Sequence, residues 1–409
     1  MYKFYIDTNK EAFDAFVQEH AYASLLQGSK WSLIKDNWGH QFVSVTKEDT
    51  IVATAMILIK HMPLGFTLFY IPRGPVMDYE NEELVRFFFV ELKKYAKTQK
   101  AICVKFDPLV IYNAFALKDV ENRKTYDHKT VELLKSMGVH HYGYNLDMHD
   151  ATQPRTQAVF YFYENWRNDY SSNLKKNVQK AKNKGVQWKQ AGKESIDIFA
   201  DLLKKTSDRQ GVALRDKSYF ERLMDVYQED AAIFLTYINQ KKLLLEATNK
   251  LNDIQQNLQA NPNRAASKLK AIYENIQGLE DEIARLQQNI EVDGEIAYIS
   301  ATLICKDKHT SELLYAGMDD KYNKYCGTYI SWLKALEWAE DAGCRKCNFG
   351  GVQGTLDDGL TSYKSRFSPV FEDYIGELDM PVMPLWYRMF VVTLPMAKKV
   401  LRGIRSWKK

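Results

Sequence analysis

The sequence predicts a mixed α/β (α+β) chain: two α/β units, with an antiparallel coiled-coil hairpin inserted into the second. Three observations carry this. Short β-rich runs alternate with amphipathic helical runs over most of the chain, the pattern of sheets covered by helices. Between residues 241 and 292 that pattern gives way to apolar residues spaced 3-4-3-4. The length, 409 residues with 45% apolar and 26% charged residues, is sufficient for two or more well-filled cores.

The first unit is expected over residues 1–150, joined by 380–409. Phe42 to Val45, Ile51 to Ile59 and Ala101 to Phe106 read as strands bounded by polar turns. Glu82 to Lys97 spaces Leu84, Phe87, Phe88, Val90 and Leu92 among charges, as a helix bordering a core does. Ile71-Pro72-Arg73-Gly74-Pro75 is expected to be loop, because its two prolines deny donors to a ladder.

The second unit is expected over 151–240 with 293–379. It opens with a lysine-rich helix, then a helix around Ser195 to Asp208 and a strand over Ala232 to Ile238. In the inserted segment Leu244, Ala247, Leu251, Ile254 and Leu258 form one a/d seam. After Asn261-Pro262-Asn263 a second seam runs through Leu269, Ile272, Ile276, Leu279, Ile283, Leu286 and Ile290. Strands over Ile233 to Ile238 and Glu295 to Ile304 bracket it, so the hairpin is an arm growing from a β-hairpin. Its seven cations balance its seven anions, so it is no electrostatic clamp by itself. Strand, strand, loop, helix and strand follow, the helix over Tyr329 to Ala342 ending at Gly343, a C-cap glycine.

The overall charge of +4 conceals an uneven distribution. Asn173 to Lys193 holds seven lysines and no acid, and Met380 to Lys409 seven cations and no acid, leaving −10 for the rest. Such basic patches attract polyanions or an anionic membrane. Lys175, Lys176, Lys180, Lys182 and Lys184 are therefore the candidates for contact with tRNA or membrane. The C-terminal run joins Trp407 to cations, the composition of an interfacial anchor. No apolar stretch is long enough to span a bilayer, and the N-terminus lacks a signal-peptide core. Five cysteines (Cys103, Cys305, Cys326, Cys344 and Cys347) are expected to be reduced thiols. The lone Cys344-x-x-Cys347 pair predicts no zinc site, and no metal is expected.

The closing order of strands around one helix is that of an N-acetyltransferase-like (GNAT) acyl-transfer unit. In such units a glycine-rich loop holds the coenzyme A pyrophosphate at a helix N-terminus. Here that stretch is Lys324-Tyr-Cys-Gly327-Thr-Tyr329, with tyrosine where a small residue is needed, which predicts a donor other than coenzyme A. No Ser-His-acid grouping is readable either. An acyl donor that is already an activated ester requires no enzyme nucleophile.

The chain resembles the Fem peptidyltransferases, which transfer amino acids from aminoacyl-tRNA to the stem peptide of peptidoglycan precursors. The resemblance rests on Tyr70-Ile-Pro-Arg73-Gly74-Pro75-Val76, Phe106-Asp107-Pro108, Asn173-Leu-Lys-Lys-Asn-Val-Gln-Lys-Ala-Lys and Thr206-Ser-Asp-Arg209. It continues through Arg215 with Tyr219-Phe220, Asn348-Phe349-Gly350-Gly351-Val352, Tyr363-Lys364-x-x-Phe367 and Tyr374-Ile-Gly-Glu377-Leu-Asp. With its helical arm the chain is most similar to the streptococcal MurM/MurN branch, which adds serine or alanine to lipid II.

The resemblance implies a role for each matched residue. Lys35 and Trp38 would hold the precursor, a cation and an aromatic three residues apart on one helix face. Arg215 and Tyr219 would form the second half of that clamp, arginine being suited to bidentate phosphate contact. Asp107, at a strand end, would accept a proton from the stem-peptide lysine amine or orient it, unless it simply caps a turn. Lys364 would stabilise the developing oxyanion or the terminal tRNA phosphates. The expected protein is a cytoplasmic aminoacyltransferase, peripheral to the inner face of the plasma membrane, with aminoacyl-tRNA and lipid II as partners and no cofactor. The rival readings are a GNAT-like acyltransferase with another donor or acceptor, and a non-catalytic coiled-coil membrane scaffold.

Overall fold

The computed structural model describes residues 1–122, 124–126, 129–211 and 215–392. One sheet runs in the order Tyr2–Ile6, Gly39–Lys47, Thr50–His61, Thr67–Ile71, Ala101–Phe106, Leu378–Pro381 and His140–His141, with Val76–Met77 added beside Thr50–His61. The other runs Val186–Ala191, Ala231–Asn239, Ile296–Asp307, Thr310–Met318, Lys346–Gly351, Thr156–Tyr161, Val370–Tyr374, Ile111–Phe115 and Lys124–Thr125. These are two N-acetyltransferase-like units. Their sheets do not divide at residue 150. Ile111–Phe115 crosses into the second sheet, where Phe115 sits opposite Phe371 and both enter the second unit's core. The chain returns to the first sheet when Leu378–Pro381 pairs with Ala101–Phe106.

Each sheet buries its own core, and a third core is shared. Phe13, Trp31, Phe42 and Met56 of the first unit pack there with Phe199, Phe220, Tyr227 and Leu303 of the second. Residues of both units thus pack into one apolar core rather than meeting in a loose polar contact. In the second sheet the parallel pairing of Thr310–Met318 with Lys346–Gly351 covers only Thr310 to Glu312 against Lys346 to Asn348. Beyond Glu312 the two strands part and leave a gap at the sheet's centre.

The arm is two helices, Gln240–Ala260 and Ala266–Asp293, packed against each other. Its root is pinned: the Gln240 amide donates to the Gly294 carbonyl at 2.9 Å, and Lys321 pairs with Asp293 at 2.6 Å. Within the proline-interrupted 381–397 segment, too broken to span a membrane, residues 384–392 form a short helix. Trp407 and the cations from Lys398 to Lys409 lie outside the described residues. All five cysteines are free and buried. Among the described residues no helix is long and apolar enough to cross a membrane, and no His/Cys/Asp/Glu group could hold a metal.

Candidate active site

The structure brings Lys35, Trp38, Arg215 and Tyr219 together around one cavity of about 420 Å³. The helix expected to carry Lys35 and Trp38 ends sooner, at Ile34. Lys35 leaves the helix at φ −96° and ψ 60°, and the Trp38 amide closes a turn onto the Lys35 carbonyl at 2.9 Å. The turn, not a helix face, aims both side chains. Helix Ser29–Ile34 packs against Lys217–Tyr227, where Asp216 caps the helix by accepting from the Tyr219 amide at 3.0 Å.

The cavity's electrostatics follow from which charges are already paired. Asp36 is held by Arg222 at 2.7 Å, and Asp216 is occupied as the cap. Among the described residues, Lys35 and Arg215 have no carboxylate at salt-bridge distance. The Lys35 ammonium lies 5.2 Å from the Trp31 ring and 5.8 Å from the Tyr219 ring, with the Arg215 guanidinium 5.3 Å from Tyr219. Burial, then the Arg215 charge, pulls the Lys35 amine down to about 8. Two cations facing an open cavity without counter-ions make an anion site.

A second cavity of about 430 Å³ opens where the central strands part. Ala316, Gly317 and Met318 form one wall, Cys326 to Tyr329 and Trp332 another, and Gly359, Leu360 and Tyr363 a third. Lys364 is on this third element, helix Gly359–Ser365, but its side chain turns inward. It is 4% exposed, and its ammonium donates to the Gly351 carbonyl at 2.8 Å. Burial drives the amine down to about 7, against the pull of Asp358. Such a lysine is held near its titration point at neutral pH, ready to be charged by an arriving anion.

At the position matched to the coenzyme A loop, a Cβ on Gly327 would meet Thr236 Oγ1 at 2.6 Å and Ile299 Cδ1 at 2.7 Å. Close packing of helix Gly327–Asp341 on the sheet therefore demands this glycine, whatever it does for a phosphate. Tyr329 is buried against Phe367, their rings 6.1 Å apart, and bonds to Arg366.

Asp107 follows its strand as expected, but it is buried with both oxygens engaged. Oδ2 accepts from the Tyr70 hydroxyl at 2.8 Å and Oδ1 from the Arg73 amide at 2.6 Å. Burial raises its carboxyl to about 6, opposed by Arg73. The bonds hold Arg73 at φ +54°, and buried Gln27 braces the same turn by donating to the Pro72 carbonyl at 2.6 Å. A Cβ on Gly74 would strike Gln27 at 2.6 Å, which explains the glycine in that motif. In this arrangement Asp107 is a turn cap.

Sequence reasoning passed over Arg73 and Lys105. The Arg73 guanidinium donates to the Pro154 carbonyl at 2.9 Å and lies 5.5 Å from the Tyr374 ring, bridging the units. Half-buried Lys105 pairs with Glu377 at 2.5 Å and Asp379 at 2.9 Å. Arg73 and Glu377 lie within the matched motifs, but the partners that cover them are a tertiary property. Lys175, Lys176, Lys180 and Lys182 are exposed along helix Ser172–Asn183, which buries Leu174 and Ala181 against Gly327–Asp341. Cys326, in the wall of the second cavity, donates to Asn177 on that helix at 3.6 Å. The lysines thus flank this cavity rather than the first.

A family model described as the FemAB family matches residues 8–393. Aminoacyltransferase FemB of Staphylococcus epidermidis is 29% identical over 396 residues, 92% of this chain and 95% of that protein. A Staphylococcus aureus protein named lipid II:glycine glycyltransferase is 28% identical, with 96% of each chain covered. The crystal structure of FemX superposes with a TM-score of 0.73 at 25% identity, covering 94% of this chain and 98% of FemX.

Proposed function

This chain belongs to the FemAB family, and we propose that it transfers an amino acid from aminoacyl-tRNA to the stem-peptide lysine amine of lipid II. The observation that carries the reading is the pairing of two cavities on a rigid frame. One presents Lys35 and Arg215, unpaired among the described residues, as a diphosphate would require. The other lies beside helix Gly359–Ser365, which bears Lys364, and beneath the lysine-rich helix. In this mechanism the acceptor's diphosphate is seated by Lys35 and Arg215, with Trp38 and Tyr219 against its sugar or peptide. The amine attacks the ester carbon, and the Lys364 ammonium, buried behind the third wall of the cavity, supplies the positive charge that offsets the developing oxyanion. As the tetrahedral intermediate collapses the C–O bond to the ribose breaks, and the proton shed by the attacking amine ends on the departing ribose oxygen. Asp107 acts at a distance here, by holding the Arg73 turn.

Serine or alanine is the proposed donor residue, on the likeness to the arm-bearing streptococcal branch; the names of several staphylococcal relatives specify glycine instead. Purified protein incubated with seryl-, alanyl- and glycyl-tRNA and lysine-containing lipid II should yield a branched lipid II with serine or alanine. Transfer of glycine alone would refute the donor assignment, and no transfer from any charged tRNA would refute the enzyme reading.

Docking at the membrane is supported by an apolar surface built from two distant segments. Phe66 and Trp386 lie 4.5 Å apart ring to ring, flanked by Leu64 at 81% exposure, Leu385 at 70% and Val392 at 61%. Exposed Arg388 lies on the same short helix, and Lys60, four residues before Leu64, has its ammonium 5.4 Å from the Trp38 ring at the first cavity. Apolar tips among cations suit an anionic bilayer surface, and this one would hold the cavity at headgroup depth. Each buried leucine contributes roughly 2 kcal/mol. Leu64→Ser with Leu385→Ser should therefore reduce flotation with phosphatidylglycerol vesicles by more than tenfold and leave turnover of a detergent-solubilised acceptor unchanged. Flotation equal to the unaltered protein's would exclude this face.

A further inference from the structure

We propose that Lys184, Lys324 and Arg285 form a phosphate seat at the root of the helical arm, taking the backbone of the RNA strand that enters the second cavity. The proposal rests on the donor reading above and gives the charge-balanced arm a specific task. The three cations come from three elements: the end of helix Ser172–Asn183, the turn Asp320–Tyr325, and arm helix Ala266–Asp293. Two of them converge on one ring, and the charge of Arg285 bears on the same tyrosine. The Lys184 ammonium is 5.3 Å and that of Lys324 5.7 Å from the Tyr325 centroid.

What they lack is counter-charge. Arg285 reaches Glu282 at 3.2 Å, while among the described residues neither Lys184 nor Lys324 has a carboxylate at salt-bridge distance. Three cations face one carboxylate, and the Lys324 amine is held below its ordinary value by burial, then by Arg285 and Lys184. Clustered like charge costs stability unless an anion arrives from outside.

Position identifies the anion as the donor's. Tyr322, Asn323, Cys326 and Gly327, the chain on either side of Lys324 and Tyr325, line the second cavity. From the seat, Lys180 and Lys176 continue at four-residue intervals along one helix face, a track of about 12 Å, the span of a few phosphates. The arm's root is tied to the Lys324 turn by Lys321–Asp293 and by Tyr322, which bonds to Asp293, so Arg285 arrives in a fixed place. Shortening the arm or misplacing its root would remove one of the three charges.

Lys184→Gln, Lys324→Gln and Arg285→Gln, singly and combined in the full chain, test this. Binding of uncharged tRNA and of a hairpin ending in CCA would be followed by fluorescence anisotropy across a salt series. The triple variant should bind either RNA at least tenfold more weakly, with the slope of log K against log salt reduced by about 2, near 0.7–0.9 per lost contact. KM for aminoacyl-tRNA should rise while kcat and the KM for lipid II hold, and Arg285→Lys should keep most of the affinity. Unchanged RNA affinity and salt slope would overturn the seat. So would an Arg285→Lys loss equal to that of Arg285→Gln, since charge would then not be what is read. Loss of phosphatidylglycerol-vesicle binding with RNA binding intact would assign the cluster to the membrane and also overturn it. RNA binding that depends on the triad in a protein without transferase activity would sink the enzyme reading and leave the seat standing.

Discussion

Lys364→Met should lower aminoacyl transfer by about 10²–10³-fold while raising the melting temperature. The two effects share one cause. The Lys364 amine, ordinarily at 10.5, is pushed down to about 7 by burial, so the fold disfavours its charged form. Between those values the unfolded chain binds more protons than the native one, so stability rises with pH from about 7 toward 10.5. Below 7 the penalty is complete, on the order of 5 kcal/mol. Methionine fills similar space without a charge. The variant should therefore melt several degrees higher near neutral pH and lose the alkaline rise in melting temperature expected of the unaltered protein. Activity moves the other way because an oxyanion forming beside the ammonium restores its proton affinity. For the same reason kcat/KM should fall as pH rises past about 7 in the unaltered protein, and Lys364→Arg should not restore it, its planar fork being a different shape. A Met variant that transfers within threefold of the parent would remove Lys364 from the chemistry.

How much of this was legible before the structure depends on whether the signal was local. The arm was, because its seam repeats within each helix, and the observed helices Gln240–Ala260 and Ala266–Asp293 contain the residues of both seams. Strand Ala101–Phe106 was, its limits set by apolar content and the following Asp107-Pro108. Membership in a sheet was not: nothing in Ile111–Phe115 says that it pairs with Val370–Tyr374, more than 250 residues away. Site residues divide the same way. Lys35, Trp38, Arg215 and Tyr219 were recognisable by type and motif, but the turn that aims the first pair replaces a predicted helix face. For Asp107 the position after a strand was readable, whereas its burial and its two bonds are tertiary facts that make it a cap. Arg285 carried no signal, and Lys324 was legible only as the start of the loop matched to the coenzyme A motif; their segments meet only when the arm's root is built.

Lys35→Ala and Arg215→Ala should each raise the KM for lipid II by about 10–100-fold with kcat little changed, because each removes one charge-assisted contact to a phosphate. Both cations flank Tyr219, so a single bound diphosphate would touch the two at once. The double variant should then lose less than the product of the single losses, the mark of groups acting on one ligand. pH separates their contributions. Burial and Arg215 bring the Lys35 amine to about 8, so in the free enzyme its charge fades as pH rises through 8. Acceptor affinity should weaken over that range in the unaltered protein and in Arg215→Ala, where the midpoint moves upward because a repelling neighbour is gone. In Lys35→Ala this limb should be missing, since arginine does not titrate there. Removing either cation also relieves repulsion in the empty site, so neither variant should melt lower than its parent. If both bind lipid II as tightly as the parent at low salt, the cavity does not hold the acceptor's diphosphate, and the two-cavity mechanism loses its acceptor half.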